Sequence, residues 1–185
     1  MKILTGIGSR ETPKEILEVM RKVCKKMVLQ GYTLRSGGAD GADAYCAYGW
    51  GDAWSEDAEV PDAEIYIPWS GFNNLKVGQK NVVLVQDTRI IQSAHKLLKQ
   101  VHPAFDKLAR GPLALHTRNC FQVLGADLCT KSSIVLAYAK TDPKGNPMGG
   151  TATAMNIAKR EGIAVRNLYL EADLEKAIKY LEKEQ

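Results

Sequence analysis

What the chain has little of narrows it first. Its four cysteines, Cys24, Cys46, Cys120 and Cys129, are scattered, with no C-x-x-C pair. That spacing argues against a zinc site or a disulfide framework and makes a reducing cytoplasm the default. The three histidines include no H-x-x-x-H pair, so no metal site and no cofactor is expected. The longest apolar run, 134 to 139, is a strand length, far below the roughly 20 residues that cross a bilayer. Residues 1 to 6 are too short in apolar content for a secretion signal, so no membrane role is expected. No internal repeat and no low-complexity segment occurs. Charge of one sign is also nearly balanced. A net charge of +4 allows an anionic ligand but does not by itself argue for a nucleic-acid surface. With 185 residues and 45% hydrophobic content, the chain suits a single domain, 1–185, with a sizeable core.

What is present is organised around Ser36-Gly37-Gly38-Ala39-Asp40-Gly41-Ala42-Asp43. This stretch follows a strand-like run, 32 to 35, and leads into a helix-like run from Ala42 to Tyr48. Glycines between a strand and a helix let backbone N–H groups approach a ligand, and the helix points its positive end at that place. The site is an anion site, most often for phosphate, or a tight turn that needs unusual φ/ψ.

The chain opens in the same rhythm. Lys2 to Gly6 reads as a strand. Thr12 suits an N-cap and Pro13 a first helical residue, with the helix running to about Gln30 and stopping at Gly31. Between them lies Gly6-Ile7-Gly8-Ser9-Arg10. The third glycine of a dinucleotide fingerprint is absent, since Glu11 stands there, and a standard NAD site is rejected. Ser9 and Arg10 instead suit a phosphate. Gly49 to Pro61 reads as a connection, and Glu64 to Ile67 as a third strand. The loop after it carries Trp69 and Phe72, which either stack on a ligand or pack on the sheet edge. Residues 75 to 112 read as a helical excursion off the sheet.

Pro112 then starts a helix that ends at Gly125. His116, Cys120 and Val123 form one stripe, read as core. Leu115, Arg118, Asn119 and Gln122 form another, able to bind a phosphate, a sugar hydroxyl and a base edge, or to lie solvated. Ser133 to Ala139 is the pattern of a central parallel strand. A turn-rich loop follows, and Gly149-Gly150-Thr151 opens another helix, a second glycine-rich anion site. The alternation predicts an α/β fold: a Rossmann-like, open, mainly parallel sheet with helices on both faces. In such a sheet, loops after the strands share one edge, where ligands bind. A phosphorylated ligand with more than a phosphate to hold is therefore expected, and a nucleotide is the natural candidate. No P-loop occurs, which argues against triphosphate hydrolysis.

Gly8-Ser9-Arg10, the 36–43 stretch and Gly149-Gly150-Thr151 together resemble the SLOG superfamily, which includes DprA-type DNA-processing proteins and the Lonely Guy phosphoribohydrolases. The segment Arg118-Asn119-Cys120-Phe121-Gln122-Val123-Leu124-Gly125 resembles short DprA-like proteins common in phages. The resemblance runs from residue 4 to about 168, apart from 75 to 110. It implies a Rossmann-like fold that binds nucleotides, their derivatives or single-stranded DNA, often as a homo-oligomer, in the cytoplasm (the host's, if phage-encoded). The phosphoribohydrolase branch places a catalytic Glu in Gly-Gly-x-Gly-Thr-x-x-Glu. Here Ala152 replaces a motif glycine and Asn156 replaces the Glu, and an amide cannot act as a general base.

The expected ligand-binding residues are Gly8, Ser9, Arg10, Ser36, Gly37, Gly38, Ala39, Asp40, Trp69, Arg118, Asn119, Gln122, Gly149, Gly150 and Thr151. Three functions follow. The first is nucleotide binding as a sensor or sequestering protein. The second is an N-glycosidase releasing the base from a nucleoside 5′-monophosphate, which needs a carboxylate near the sugar. Asp43 and Glu64 are its candidates, while Asp40 reads more readily as a helix cap. The third is single-stranded DNA binding, which the modest charge and the solvated look of the Arg21–Lys26 cluster disfavour.

Overall fold

A computed structural model describes residues 1–183. Strands and helices alternate through most of the chain: β1 (Ile3–Gly8), α1 (Lys14–Leu29), β2 (Thr33–Ser36), α2 (Ala42–Glu56), β3 (Glu64–Tyr66), β4 (Val82–Val83), α3 (Thr88–Val101), α4 (Arg110–Leu124), β5 (Ile134–Tyr138), α5 (Thr151–Arg160), β6 (Ala164–Asn167) and α6 (Glu171–Glu182). The six strands form one sheet in the order β4-β3-β2-β1-β5-β6. Every pairing is parallel, with Leu4 beside Leu34 and Ile134 in the centre. This is the expected Rossmann-like, open α/β sheet.

Side-chain alternation along β5 shows why helices cover both faces. Leu136 and Tyr138 join a core with α1, α2 and α6. Val135 and Ala137 point the other way, into a core with α3, α4 and α5. A strand buried on both faces must be apolar throughout, which is the sequence pattern of β5. The chain builds leftward from β1 to β4, then crosses back to place β5 on the right of β1. That reversal opens a crevice at the C-terminal ends of β1 and β5.

Three local expectations are corrected. Thr12 does not cap α1: it is buried, and its hydroxyl donates to the Ser9 carbonyl at 2.6 Å. The 75–112 segment does not lie wholly off the sheet, because Val82–Val83 pairs with β3 as the edge strand. After it, Asp87 caps α3 by accepting from the Arg89 N–H at 2.8 Å.

The third correction concerns α2, which continues to Glu56 through Gly49 and Gly51 instead of breaking. A Cβ on Gly49 would lie 2.3 Å from the Arg21 carbonyl of α1, whereas one on Gly51 would meet nothing within 4 Å. Gly49 thus permits close helix packing, and its composition misleads as a loop signal. Gly49→Ala is expected to cost about 1–3 kcal/mol by pushing α1 and α2 apart. Gly51→Ala should gain up to about 1 kcal/mol from helix propensity. Thermal melts of the two variants should move in opposite directions.

Candidate functional site

The loops that follow β1, β2, β3 and β5 meet over a cavity of about 600 Å³ at the C-terminal edge of the sheet, and α4 forms one wall. Gly8, Ser9 and Arg10 line it from β1, Ala39 and Asp40 from β2, and Gly149, Gly150 and Thr151 from the start of α5. Arg118 and Asn119 line it from α4, and Asp43 from the first turn of α2. Ser36, Gly37, Gly38, Glu64, Trp69 and Gln122, all expected at the site, do not line it.

Asp43 explains part of that difference. It is 1% exposed, and its Oδ1 accepts from the Gly8 N–H at 3.3 Å. Its Oδ2 lies 3.3 Å from the buried Arg118 guanidinium. That guanidinium also donates to the Gly37 carbonyl. Burial pushes the Asp43 carboxyl up, and Arg118 with the backbone N–H groups of Gly8, Ala39 and Gly37 opposes the shift. Burial also pulls Arg118 down, against the attraction of Asp43. The glycine loop therefore turns N–H groups toward an anion of its own. A Cβ on Gly37 would sit 1.9 Å from an Arg118 nitrogen, so this glycine makes room for arginine and not for a ligand. The Ser36 hydroxyl donates to the carbonyls of Gly6, at 2.9 Å, and Asp43, at 3.1 Å, tying β1, β2 and α2 together.

The two aspartates of the loop exchange their expected roles. Both Asp43 oxygens are engaged in the frame. Asp40 caps nothing, since α2 starts without a side-chain cap; it is exposed, lines the cavity, and its Oδ1 lies 3.5 Å from the Asn73 amide. Glu64 sits at the N-terminal end of β3, away from the ligand edge. It accepts from the Arg35 guanidinium at 2.7 Å and from the Tyr66 hydroxyl at 2.6 Å, a structural ion pair outside the cavity.

The polar stripe of α4 is buried, not solvated: Arg118 is 7% exposed, Asn119 4% and Gln122 0%. The Asn119 amide donates to the Gly150 carbonyl at 3.0 Å, which fixes α4 against the start of α5. Asn119 Oδ1 and Arg118 Nε, in the cavity wall, are buried without a hydrogen-bond partner. Orphaned polar atoms of this kind need an explanation, and a bound polar ligand that draws the wall into register is one. Gln122 lies deeper and is also unpartnered at both amide atoms; its backbone carbonyl accepts from Thr5 at 2.6 Å. No side chain caps α5, so its first turn presents open N–H groups beside Gly149 and Gly150.

Several cavity residues escaped the sequence reading. His116 lines the cavity although its stripe reads as core. Its Nδ1 lies 2.9 Å from the Thr153 hydroxyl and its ring centroid 4.4 Å from that of His102. Burial, then His102 and Arg118, pulls it down to about 4, so the ring is neutral at pH 7. Of the two aromatics offered for stacking on the ligand, Phe72 lines the cavity and Trp69 does not; their rings meet edge-on at 5.3 Å. Phe72 also lies 5.9 Å from the Arg118 guanidinium carbon. Lys140 and Glu11 complete the charged lining. Residue Asn156 does not reach the cavity.

Elsewhere, the basic cluster of α1 is largely compensated. Arg21 pairs with Asp52 at 2.6 Å, Lys25 pairs with Glu56, and Lys26 donates to the Tyr180 carbonyl at 3.0 Å. Among the described residues, no three His, Cys, Asp or Glu side chains gather as a metal site, and no helix is long and apolar enough to cross a membrane.

No protein-family model and no curated protein matches this chain. A solved structure, that of the Chlamydomonas rheinhardtii Moco carrier protein, is similar over 98% of this chain and 85% of its own, with a TM-score of 0.47 and 15% identity. That likeness assigns no ligand and no residue role here.

Proposed function

We propose that the protein binds a nucleotide or nucleotide-derived ligand with a single phosphate, as a sensor or sequestering protein of SLOG type. The observation that carries this reading is the buried Arg118–Asn119 face of α4. Arg118 is held by Asp43 and Gly37 and Asn119 by Gly150, yet Arg118 Nε and Asn119 Oδ1 are buried without a partner, and both residues wall a cavity that also holds a glycine-rich helix start. The phosphate is assigned to the open N–H groups of Gly150 and Thr151, with Lys140 and Arg10 in the same cavity lining. Charge limits its size. Arg10, Arg118 and Lys140 face three carboxylates, Glu11, Asp40 and Asp43, and the Arg118–Asp43 pair cancels internally. A balanced lining suits one phosphate better than three. From the β3 loop to the β5 loop is three strand spacings, roughly 14 Å, enough to lay out a base, a ribose and a phosphate.

The N-glycosidase reading keeps one supporting observation: Asp40 and Glu11 are accessible carboxylates in the same cavity. One experiment separates the two. The purified protein is incubated with nucleoside mono-, di- and cyclic phosphates, and mass spectrometry follows both the solution and the material released on denaturation. Intact monophosphate recovered from the protein is the expected result. Free base and sugar phosphate in solution would establish turnover, and no retained nucleotide would sink the binding reading.

A further inference from the structure

Asp40 is out of place in a phosphate site. Its exposed carboxylate would repel the anion, yet it stands in the cavity wall with no Lys or Arg paired to it among the described residues. Its side-chain neighbour belongs to the β3 loop, while the adjoining Gly41 packs against the Ser9 and Arg10 backbone of the β1 loop. The Asn73 amide lies 3.5 Å from it and donates to the Gly38 carbonyl at 3.0 Å, strapping the β3 loop to the β2 loop. To reach there, Asn73 and Asn74 adopt left-handed φ of 48° and 65°. Asparagine tolerates this region better than other side chains, so the pair forms the tight turn that carries Phe72. The same turn presents the half-buried Phe72 to the cavity, buttressed by Trp69. The β3 end thus offers an aromatic ring, with the Arg118 guanidinium 5.9 Å from its centroid, in the same lining as a carboxylate.

We infer that this end of the cavity reads a guanine-type ring, with Phe72 against its face and Asp40 on its edge. The inference rests on the nucleotide reading and adds the base to it. A carboxylate presents two acceptors and no donor. Its complement is a planar edge with two adjacent donors, which guanine supplies as its ring N–H and exocyclic amine. Adenine and cytosine set an amine beside an acceptor ring nitrogen, which a carboxylate repels. Uracil flanks a single N–H with carbonyls. Hypoxanthine keeps the ring N–H and loses the amine, so it isolates the contact.

The test is calorimetric titration of the wild-type chain and of Asp40→Asn with GMP, IMP and AMP at one salt concentration. The wild type should bind GMP roughly tenfold or more tightly than IMP or AMP, as a bidentate edge contact provides. Asp40→Asn should bring GMP down to the level of IMP and strengthen AMP, because the amide sets a donor beside an acceptor and no longer repels the adenine ring nitrogen. Wild-type binding of all three alike, or an Asp40→Asn variant that keeps the preference, overturns the assignment and leaves nucleotide binding standing. Failure of the wild type to bind any of the three overturns the guanine assignment, and the wider nucleotide panel then decides whether the nucleotide reading stands. The wild-type ratio of GMP to IMP decides the matter even if the variant folds poorly.

Discussion

Replacing Arg118 by leucine should lower stability by about 3–5 kcal/mol at pH 7, the range seen when one partner of a buried ion pair is removed. Asp43, 1% exposed, would then keep its charge without the guanidinium 3.3 Å away. The loss should depend on pH in a definite direction. Burial already raises the Asp43 carboxyl in the folded protein, and losing Arg118 raises it further. A carboxyl raised on folding binds its proton more tightly in the native state. Its unfavourable contribution is absent below the unfolded value and sets in as pH rises through the folded one. Arg118→Leu should therefore be most destabilised at neutral pH and recover as the solution is acidified. Urea unfolding at pH 7 and near pH 4.5 measures this, and an equal loss at both would show that the missing packing, not the stranded charge, is responsible. The double variant Arg118→Leu with Asp43→Asn should recover part of the loss at pH 7, because no ion is left buried.

The same pair shows what the sequence could and could not disclose. Alternating strands and glycine-rich helix starts were legible, because hydrophobic period and turn chemistry are local. They were enough to predict an open parallel sheet, which the strand order β4-β3-β2-β1-β5-β6 bears out. The allocation of polar groups was not local. Arg118 and Gly37 are 81 positions apart, and only the fold shows that the glycine accommodates the arginine. Asp40 and Asp43 are indistinguishable by type, and one turn of helix decides which is buried. Glu64 fits a site by residue type, but its place at the start of β3 turns it to Arg35. Gly49 read as a break because the contact that requires it belongs to α1. Trp69 and Phe72 lie three residues apart on one loop, and left-handed turns at Asn73 and Asn74 choose between them.

Asn167→Ala should be the other severe substitution, costing about 2–4 kcal/mol from two buried backbone groups left unpaired. β5 and β6 pair through Ala137 and Asn167, and the ladder then ends. Beyond it the Asn167 side chain acts as one more peptide: its Oδ1 accepts from the Ala139 N–H at 2.9 Å, and its Nδ2 donates to the Ala139 carbonyl at 2.8 Å. Ala139 is 2% exposed, so water cannot replace either bond. Asn167→Asp should be no remedy, since it keeps the acceptor but turns a second acceptor toward the Ala139 carbonyl. Ala139 and Lys140 both line the cavity, so the amide clamp sets where the lysine begins. The variant should therefore also weaken nucleotide affinity, and hydrogen exchange at the Ala139 amide should accelerate with it. A loss of stability with affinity intact would remove Lys140 from the proposed phosphate site. Loss of both would tie the edge of the sheet directly to the ligand.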